Sequence, residues 1–283
     1  MQDKFGIIRD IIQNHLVQVL SLLVMEPPTK VEGEGAGDHI RDAKVAALKA
    51  ILPPTLEDCV LGQYDGYLDD PTITNKESNT PTFAAVMLKI NNPRWAGVPI
   101  ILKAGKALNE RKAEMRIQFK DAPAGKFMFD TDTPPPRNEL VIRLQPKEAI
   151  YMKTNIKAPG FATHPIQSEL EVNYDSRFQN FSSREANPDA YTRLILDVLR
   201  NKQAAFVRDD ELIASWGIFT PLLHTIEQGD SKPSIYQPGG RGPEEADAFI
   251  KEKCNFQRNE DYVYHAPTRG IVKRNSFKDL SKL

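Results

Sequence analysis

Lys112-Ala113-Glu114-Met115-Arg116-Ile117-Gln118-Phe119-Lys120 is written with a period of two. Lys112, Glu114, Arg116, Gln118 and Lys120 fall on one side of an extended chain, and Ala113, Met115, Ile117 and Phe119 on the other. Successive side chains of a strand point to opposite faces, so the pattern predicts a strand with one apolar face that packs and one charged face. The pattern repeats at 140–144, where Leu140, Ile142 and Leu144 oppose Val141, Arg143 and Gln145. Working outward, residues 83–90, 98–103, 149–154 and 169–174 read as further strands. Runs at this spacing, with short turns and no helices between them, predict an antiparallel sheet.

Helical periods flank the strands. Residues 189–201 carry Tyr191, Leu194, Ile195, Val198 and Leu199 on one stripe, and 209–227 carry Leu212, Trp216, Phe219, Leu222, Leu223 and Ile226. A turn at Gly239-Gly240-Arg241-Gly242-Pro243 precedes a short helix over 244–253. Nearer the start, Asp38 is a good N-cap for a helix over 38–51 that turns Val45, Leu48 and Leu52 inward and ends at Pro53-Pro54. The first helix, 7–24, is so apolar that at least two of its faces must be buried. Its polar residues, Arg9, Asp10, Gln13, Asn14 and His15, lie in its first half. Asp10 and His15 are five apart, about 140° around an α-helix, so periodicity does not pair them. The fold class expected is α+β: a large, mostly antiparallel β-sheet with helices packed on one face. Residues 1–264 read as one domain and 265–283 as a polar tail.

The chain has 283 residues, 40% of them hydrophobic, enough for a sizeable core. Lys+Arg 37 against Asp+Glu 38 gives a net charge of -1, which disfavours a nucleic-acid binder or a membrane-surface protein. Charged residues within the first helix argue against a signal peptide or a membrane span. Two cysteines, Cys59 and Cys254, make no disulfide framework, and no Cys/His spacing suits zinc, so a reduced, cytoplasmic setting is expected. Ser281-Lys282-Leu283 matches a peroxisomal address and gives an alternative location. His224, on an apolar helix, reads as a core residue, and His39, His164 and His265 as loop or tail residues.

Ile7-Ile8-Arg9-Asp10 followed by Gln13-Asn14-His15-Leu16 resembles the signature helix of the glucose-6-phosphate dehydrogenase family. The likeness continues, in the family's order, through Val60-Leu61-Gly62-Gln63-Tyr64, Gly105-Lys106-Ala107-Leu108-Asn109-Glu110-Arg111-Lys112-Ala113-Glu114 and Arg137-Asn138-Glu139-Leu140-Val141-Ile142-Arg143. It ends with Phe219-Thr220-Pro221-Leu222-Leu223-His224 and Arg241-Gly242-Pro243, covering the chain from Asp3 to about Tyr262. The resemblance implies oxidation of glucose 6-phosphate to the 6-phosphogluconolactone with NADP, on the C-terminal domain whose sheet also builds a homodimer or homotetramer.

Residue by residue, the resemblance makes His15 the general base that takes the proton of the sugar's anomeric hydroxyl. It makes Asp10, Lys106, Arg111 and Gln145 contacts to glucose 6-phosphate. An imidazole suits the base because its pKa lies near working pH. Lys103, Lys112, Arg116, Arg143, Tyr151, Lys153, Glu171 and Arg241 match ligands of a second, structural NADP that some family members bind. Lys103 and Glu171 stand there for an arginine and an aspartate, and Arg258 and Tyr264 for a tyrosine and a tryptophan. The alternative for this charged face is a solvated surface with carboxylates such as Glu114 between the cations.

No Gly-x-Gly-x-x-Gly or Gly-x-x-Gly-Asp-Leu stretch occurs, nor the family's Asp-His-Tyr-Leu-Gly-Lys segment. The coenzyme-binding domain is therefore expected upstream of Met1, with this chain either cut from a longer polypeptide or encoded as a partial copy. The rival reading is a non-catalytic module that binds sugar phosphate or NADP, or pairs with full-length subunits through its sheet.

Overall fold

The computed structural model describes residues 2–125, 127, 134–146, 148–157, 160–161, 165–173, 189–229, 231–259, 262 and 264. Tyr174, His164, His265 and the tail 265–283 with Ser281-Lys282-Leu283 lie outside them. In chain order the main elements are α1 (Gln2–Ile7), π1 (Ile8–Leu16), α2 (Val17–Val24), α3 (Ala36–Lys49), β1 (Ile51–Leu52), β2 (Cys59–Tyr64), β3 (Phe83–Ile90) and β4 (Ile100–Gly105). They continue with β5 (Ala113–Gln118), β6 (Glu139–Gln145), β7 (Ala149–Lys157), β8 (Pro165–Asn173), α4 (Ala190–Leu199), α5 (Asp209–Glu227), β9 (Ser234–Tyr236) and α6 (Glu244–Cys254). The chain forms two compact units, 1–110 with 187–256 and 111–186 with 257–283.

In the first unit β3 is the central strand, antiparallel to β1, β2 and β4, while β9 adds to β2 in parallel. Phe83 to Leu88 is an unbroken buried run, the mark of a strand covered on both faces. Ala84, Val86, Leu88 and Ile90 join the main core with residues of π1, α2, α3 and α5. Phe83 and Ala85 pack on the other side with Tyr236 and with Ala246 of α6. The α+β class and the antiparallel pairing stand. Two features differ from expectation: the strands form two sheets rather than one large one, and helices cover both faces of β3. Alternation shows that a strand has two faces, but not which sheet it joins.

The first helix is not wound as an α-helix. Gly6 breaks α1 with φ 64 and ψ 172, and Ile8–Leu16 is a π-helix, closed by the Val17 N–H donating to Ile12 O. Hydrogen bonds from i to i+5 stack residues five apart, as i to i+4 bonds stack residues four apart. Burial follows that spacing: Ile7, Ile12 and Val17 are 1%, 0% and 1% exposed. Phe5–Val24 is long and apolar enough to cross a membrane. In this fold its inner side belongs to the main core.

Other sequence readings shift by local chemistry. The third helix starts at Ala36 because Gly35, at φ 76, turns the chain into it; Asp38 sits in the first turn and accepts a 2.6 Å hydrogen bond from Arg41 Nη2. Its end at Lys49 leaves Leu52 half exposed in β1 rather than facing inward. His39 lies on this helix and not in a loop. His224 on α5 is exposed, not core, because its neighbours Leu222, Leu223 and Ile226 take the inward positions. Asp189 caps α4 by accepting from the Tyr191 and Thr192 N–H groups, yet no described residue of α4 is buried, and Tyr191, Ile195, Val198 and Leu199 all face outward.

The second unit is a four-stranded antiparallel sheet in the order β5-β6-β7-β8. Its pairing Arg116↔Val141↔Tyr151↔Glu171 and Ile117↔Leu140↔Met152↔Leu170 separates a polar face from an apolar one. Burial is the reverse of what the alternation predicts. On the polar face Glu139, Tyr151 and Lys153 are 3%, 1% and 2% exposed, whereas Ile150, Leu170 and Val172 on the apolar face are 38%, 69% and 51% exposed. Gln257, Tyr262 and Tyr264 lie on the polar side: Gln257 N–H donates to Gln118 Oε1, and Tyr262 and Tyr264 donate to Glu169 and Glu171.

One glycine locks the turn before α6. Gly242 has φ 106, and a Cβ there would lie 2.3 Å from Cε2 of the fully buried Phe83. Gly242→Ala is expected to destabilise the first unit by about 3 kcal/mol, through backbone strain and overpacking together. Denaturant unfolding measures this; a loss below about 1 kcal/mol would show that the ring moves aside freely.

Candidate functional site

The π-helix decides what the first helix offers to solvent. Asp10 and His15 are both exposed, and their five-residue spacing, which separates them on an α-helix, stacks them on one side of a π-helix. His15 is therefore not a buried core histidine, and its Nε2 lies 3.4 Å from Asn14 Nδ2. Asp10 Oδ2 accepts from Lys106 Nζ at 3.1 Å. The structure thus brings together Asp10 and Lys106, which resemblance nominated and spacing could not.

Lys106 follows β4, which packs against π1. Its turn is tied on several sides. The Lys106 N–H donates to Thr82 O at 2.9 Å, and Tyr236 Oη donates to Lys106 O at 2.7 Å. Gly239 N–H donates to Ala107 O and Asn109 N–H to Gly240 O, at 2.7 and 2.8 Å. Ala107 itself holds φ 52, a conformation that an L-residue keeps only where its surroundings fix it. Tyr236 is a positioning residue that sequence reasoning missed; nothing in a lone tyrosine 130 residues from Lys106 signals the contact.

A cleft of about 380 Å³ lies on the same unit, lined by Gly6, Arg9, Ser78, Leu223, Glu227 and neighbours, but not by Asp10, His15 or Lys106. Among the described residues no group of three His, Cys, Asp or Glu could hold a metal ion. Cys59 does not present an active thiol: burial, and then the charge of Asp58, push its pKa up to about 12.

The other expected sugar contacts belong to the second unit. Arg111 precedes β5, and Gln145 ends β6 opposite Ala113, so the two lie at the same end of the β5–β6 pair, both exposed. The charged face holds Lys112, Arg116, Arg143, Tyr151, Lys153 and Glu171, six of the eight residues matched to a structural nucleotide. Glu114 lies 2.8, 3.3 and 3.4 Å from Arg116, Lys112 and Arg143, and Glu139 lies 3.0 and 3.2 Å from Arg116 and Lys153. Tyr264 stacks on Tyr151 at 4.8 Å between ring centroids, with the Arg143 guanidinium 4.3 Å from its own. Lys153 Nζ sits 3.8 Å from the Tyr262 ring centroid. Lys103 and Arg241 belong to the first unit, where they lie 3.5 and 3.0 Å from Asp247.

Charge pairing leaves a signature on these groups. Burial works against ionisation of Glu114, yet Arg116, Lys112 and Arg143 together hold its carboxyl below the usual range. Burial lowers Lys153, and the attraction of Glu139 offsets this only in part. The basic face is thus an internally neutralised network.

Comparison with known proteins gives the family. Residues 2–258 match the family description "Glucose-6-phosphate dehydrogenase, C-terminal domain". The chain is 53% identical over 266 residues to glucose-6-phosphate 1-dehydrogenase 5, cytoplasmic, of Arabidopsis thaliana, covering 94% of this chain and 49% of that protein. It is 50% identical over 275 residues to the glucose-6-phosphate 1-dehydrogenase of Drosophila melanogaster, covering 93% and 50%. A solved glucose-6-phosphate dehydrogenase in complex with its substrate glucose-6-phosphate superposes with a TM-score of 0.78 at 44% identity, over 94% of this chain and 52% of that one. The chain therefore spans about half the length of the curated relatives it matches.

The depressed Glu114 carboxyl sets an acid limit for the second unit. A group whose folded pKa lies below its unfolded one stabilises the fold above the unfolded value and loses that contribution as pH falls through the folded one. Stability of the sheet is expected to drop as pH falls below about 4.5. Glu114→Gln is expected to lower stability at pH 7 and to flatten this acid limb; pH-dependent unfolding checks both, and an unchanged slope would remove Glu114 as its source.

Proposed function

The chain belongs to the glucose-6-phosphate dehydrogenase family, and from that membership we propose that it is the substrate-binding and self-associating half of a glucose-6-phosphate 1-dehydrogenase. The reaction proposed for the complete protein is oxidation of glucose 6-phosphate at C1 to 6-phospho-D-glucono-1,5-lactone, with NADP as the oxidant. It is the first step of the oxidative pentose phosphate pathway. The observation that carries the reading is the exposure of Asp10 and His15 on π1, with Lys106 Nζ 3.1 Å from Asp10.

His15 accepts the proton of the anomeric hydroxyl as the general base. Its exposed ring is accessible to a sugar, and its stacking with Asp10 lets one bound sugar meet both groups. Asp10 accepts hydrogen bonds from sugar hydroxyls, and Lys106 supplies a positive charge to the substrate from its tied turn. Arg111 and Gln145 are further sugar contacts on the family pattern. The glycine-rich turn 239–242 between β9 and α6 lacks the Gly-x-Gly-x-x-Gly spacing, and the helix it opens carries Glu244, Glu245 and Asp247 in its first turn, where a pyrophosphate would be repelled. These residues do not fit the NADP that receives the hydride, and the hydride step is not assigned to them. The second, structural NADP has ring platforms in Tyr151 and Tyr264, but its phosphates would have to displace Glu114 and Glu139 from Arg116, Arg143 and Lys153. The polar face as arranged does not fit it.

A second copy of the chain is the partner proposed for the sheet. Ile150, Ile156, Ile166, Leu170 and Val172 expose one apolar face, of the kind that marks association surfaces. The cytoplasm is the proposed location, in line with the names of the plant relatives. Ser281-Lys282-Leu283 would redirect the chain to peroxisomes; a fluorescent fusion with and without the tripeptide distinguishes the two.

The 283-residue chain alone is expected to produce little NADPH. Joined to the N-terminal half of the Arabidopsis relative it should turn over. In that fusion His15→Ala should lower kcat by about 10²–10⁴ with little change in KM; an unchanged kcat would remove His15 as the base. Leu170→Lys is expected to convert the associated chain to monomers in light scattering, and a variant that still self-associates would place the interface elsewhere.

A further inference from the structure

A π-helix of nine residues is unusual, since most are single turns inserted in α-helices. Something must favour it over the α form. The apolar row Ile7, Ile12 and Val17 does not suffice, because Ile, Leu and Val are dense enough here to supply a buried side in either winding. The polar contacts of the inner side are more selective.

Gln13 Nε2 donates to Ser215 Oγ of α5 at 2.9 Å, and Ser215 Oγ donates to Leu212 O. Gln18 Nε2 donates to Glu211 Oε1, also of α5, at 2.5 Å. Lys44 of α3 closes the ladder, with Nζ 2.8 Å from Gln18 Oε1 and 2.6 Å from Glu211 Oε1. Gln13, Lys44, Glu211 and Ser215 are 6%, 4%, 0% and 4% exposed. The two helices run antiparallel, since 13 meets 215 and 18 meets 211.

The spacings on the two sides differ. Glu211 and Ser215 are four apart on an α-helix and share a face. Gln13 and Gln18 are five apart. On an α-helix that spacing would turn one amide about 140° away from the other, and only one could reach α5. With the π turn between them, both face α5. The same turn carries Asp10 and His15, also five apart, on the exposed side.

The ladder is poorly suited to raising stability. Gln13 Oε1 and Glu211 Oε2 are buried and accept no hydrogen bond, and a buried ion pair seldom outperforms an apolar replacement. Fixing one packing register is the best-attested use of such groups.

We propose that the ladder Gln13–Ser215 and Gln18–Glu211–Lys44 holds the first helix in its π winding and thereby holds Asp10 and His15 on one side. Its members are positioning residues, remote from the sugar. The functional part of this inference rests on the substrate-binding reading above; the structural part does not.

The test reads the winding directly, in the whole chain carrying Asp10→Cys and His15→Cys. Residues five apart on an α-helix are separated by about 7.5 Å along the axis alone, beyond the roughly 7 Å that a disulfide spans between Cα atoms. In the π winding they are within reach. Oxidised glutathione is expected to form the 10–15 disulfide when the ladder is intact, assigned by peptide mapping against Cys59 and Cys254. Ser215→Ala should slow its formation, Gln13→Leu with Ser215→Ala should slow it roughly tenfold or more, and Ser215→Thr, which keeps the hydroxyl, should restore it. If the double change unfolds the chain, Ser215→Ala alone decides. Equal rates with and without the ladder, or no disulfide with it intact, would overturn the proposal.

With Asp10 and His15 in place, Ser215→Ala is expected to weaken glucose 6-phosphate binding, measured by calorimetry, and Ser215→Thr to restore it. A parent chain that binds no glucose 6-phosphate would sink the functional reading, and the disulfide rates would still decide the winding.

Discussion

The hydrogen bond from Val17 N–H to Ile12 O, one step longer than an α-helical bond, is the constraint on which the candidate site depends. It changes which residues are neighbours. Ile7, Ile12 and Val17 become an inner row, and Asp10 and His15 become an outer pair. The inner row is anchored in the main core against β3 and α5, so the helix cannot rotate without exposing it. With an inner row fixed by packing and a winding set by the backbone bonds, the outer pair has no remaining freedom except its own rotamers. The geometry of the candidate site is in this sense a property of the core.

The second sheet shows a different use of the same rule of alternation. Its charged face is buried because the charges answer one another: Arg116 meets both Glu114 and Glu139, and Lys153 meets Glu139. Lone buried charges would be prohibitive, whereas paired ones supplied with further hydrogen bonds are tolerated. Tyr262 and Tyr264 close that side with rings over Lys153 and Arg143 and hydroxyls on Glu169 and Glu171. The apolar face, which a sequence reading would put inside, is left exposed over β7 and β8. Among the described residues no element of this unit covers that face of isoleucine, leucine and valine, which is why a second copy of the chain is proposed for it.

How much of this could be read in the sequence depends on the range of the interaction. Strands β3, β5 and β6 were readable within about two residues, because a period of two is a local property of the chain. Short β2 and β9 were not, since Gly62 interrupts one and the other spans three residues. Which face of β5 is covered was not readable either; among the described residues the contact comes from Gln257, more than a hundred positions away. For the site, motif resemblance nominates Asp10, His15 and Lys106 together, while helical periodicity argues against pairing the first two. The periodicity fails because it presumes 3.6 residues per turn. Tyr236 and Ser215 carry no local signal, because each acts through one contact with a distant segment.

The pairing of Asp10 with Lys106 bears on how a sugar phosphate would enter. Both side chains are partly exposed, at 50% and 29%, and an ion pair in such a setting contributes only about 0–1 kcal/mol. Opening it therefore costs little. The Lys106 backbone is a different matter, held by Thr82, Tyr236 and the 239–240 turn. A weak contact between side chains on a rigid backbone keeps both groups placed yet available. In the proposed function, an incoming sugar phosphate would take Lys106 as its cation and leave Asp10 free to accept hydrogen bonds from sugar hydroxyls. Replacing the pair by a buried, stronger one would hold the groups equally well, but the substrate would then have to supply the energy to part them.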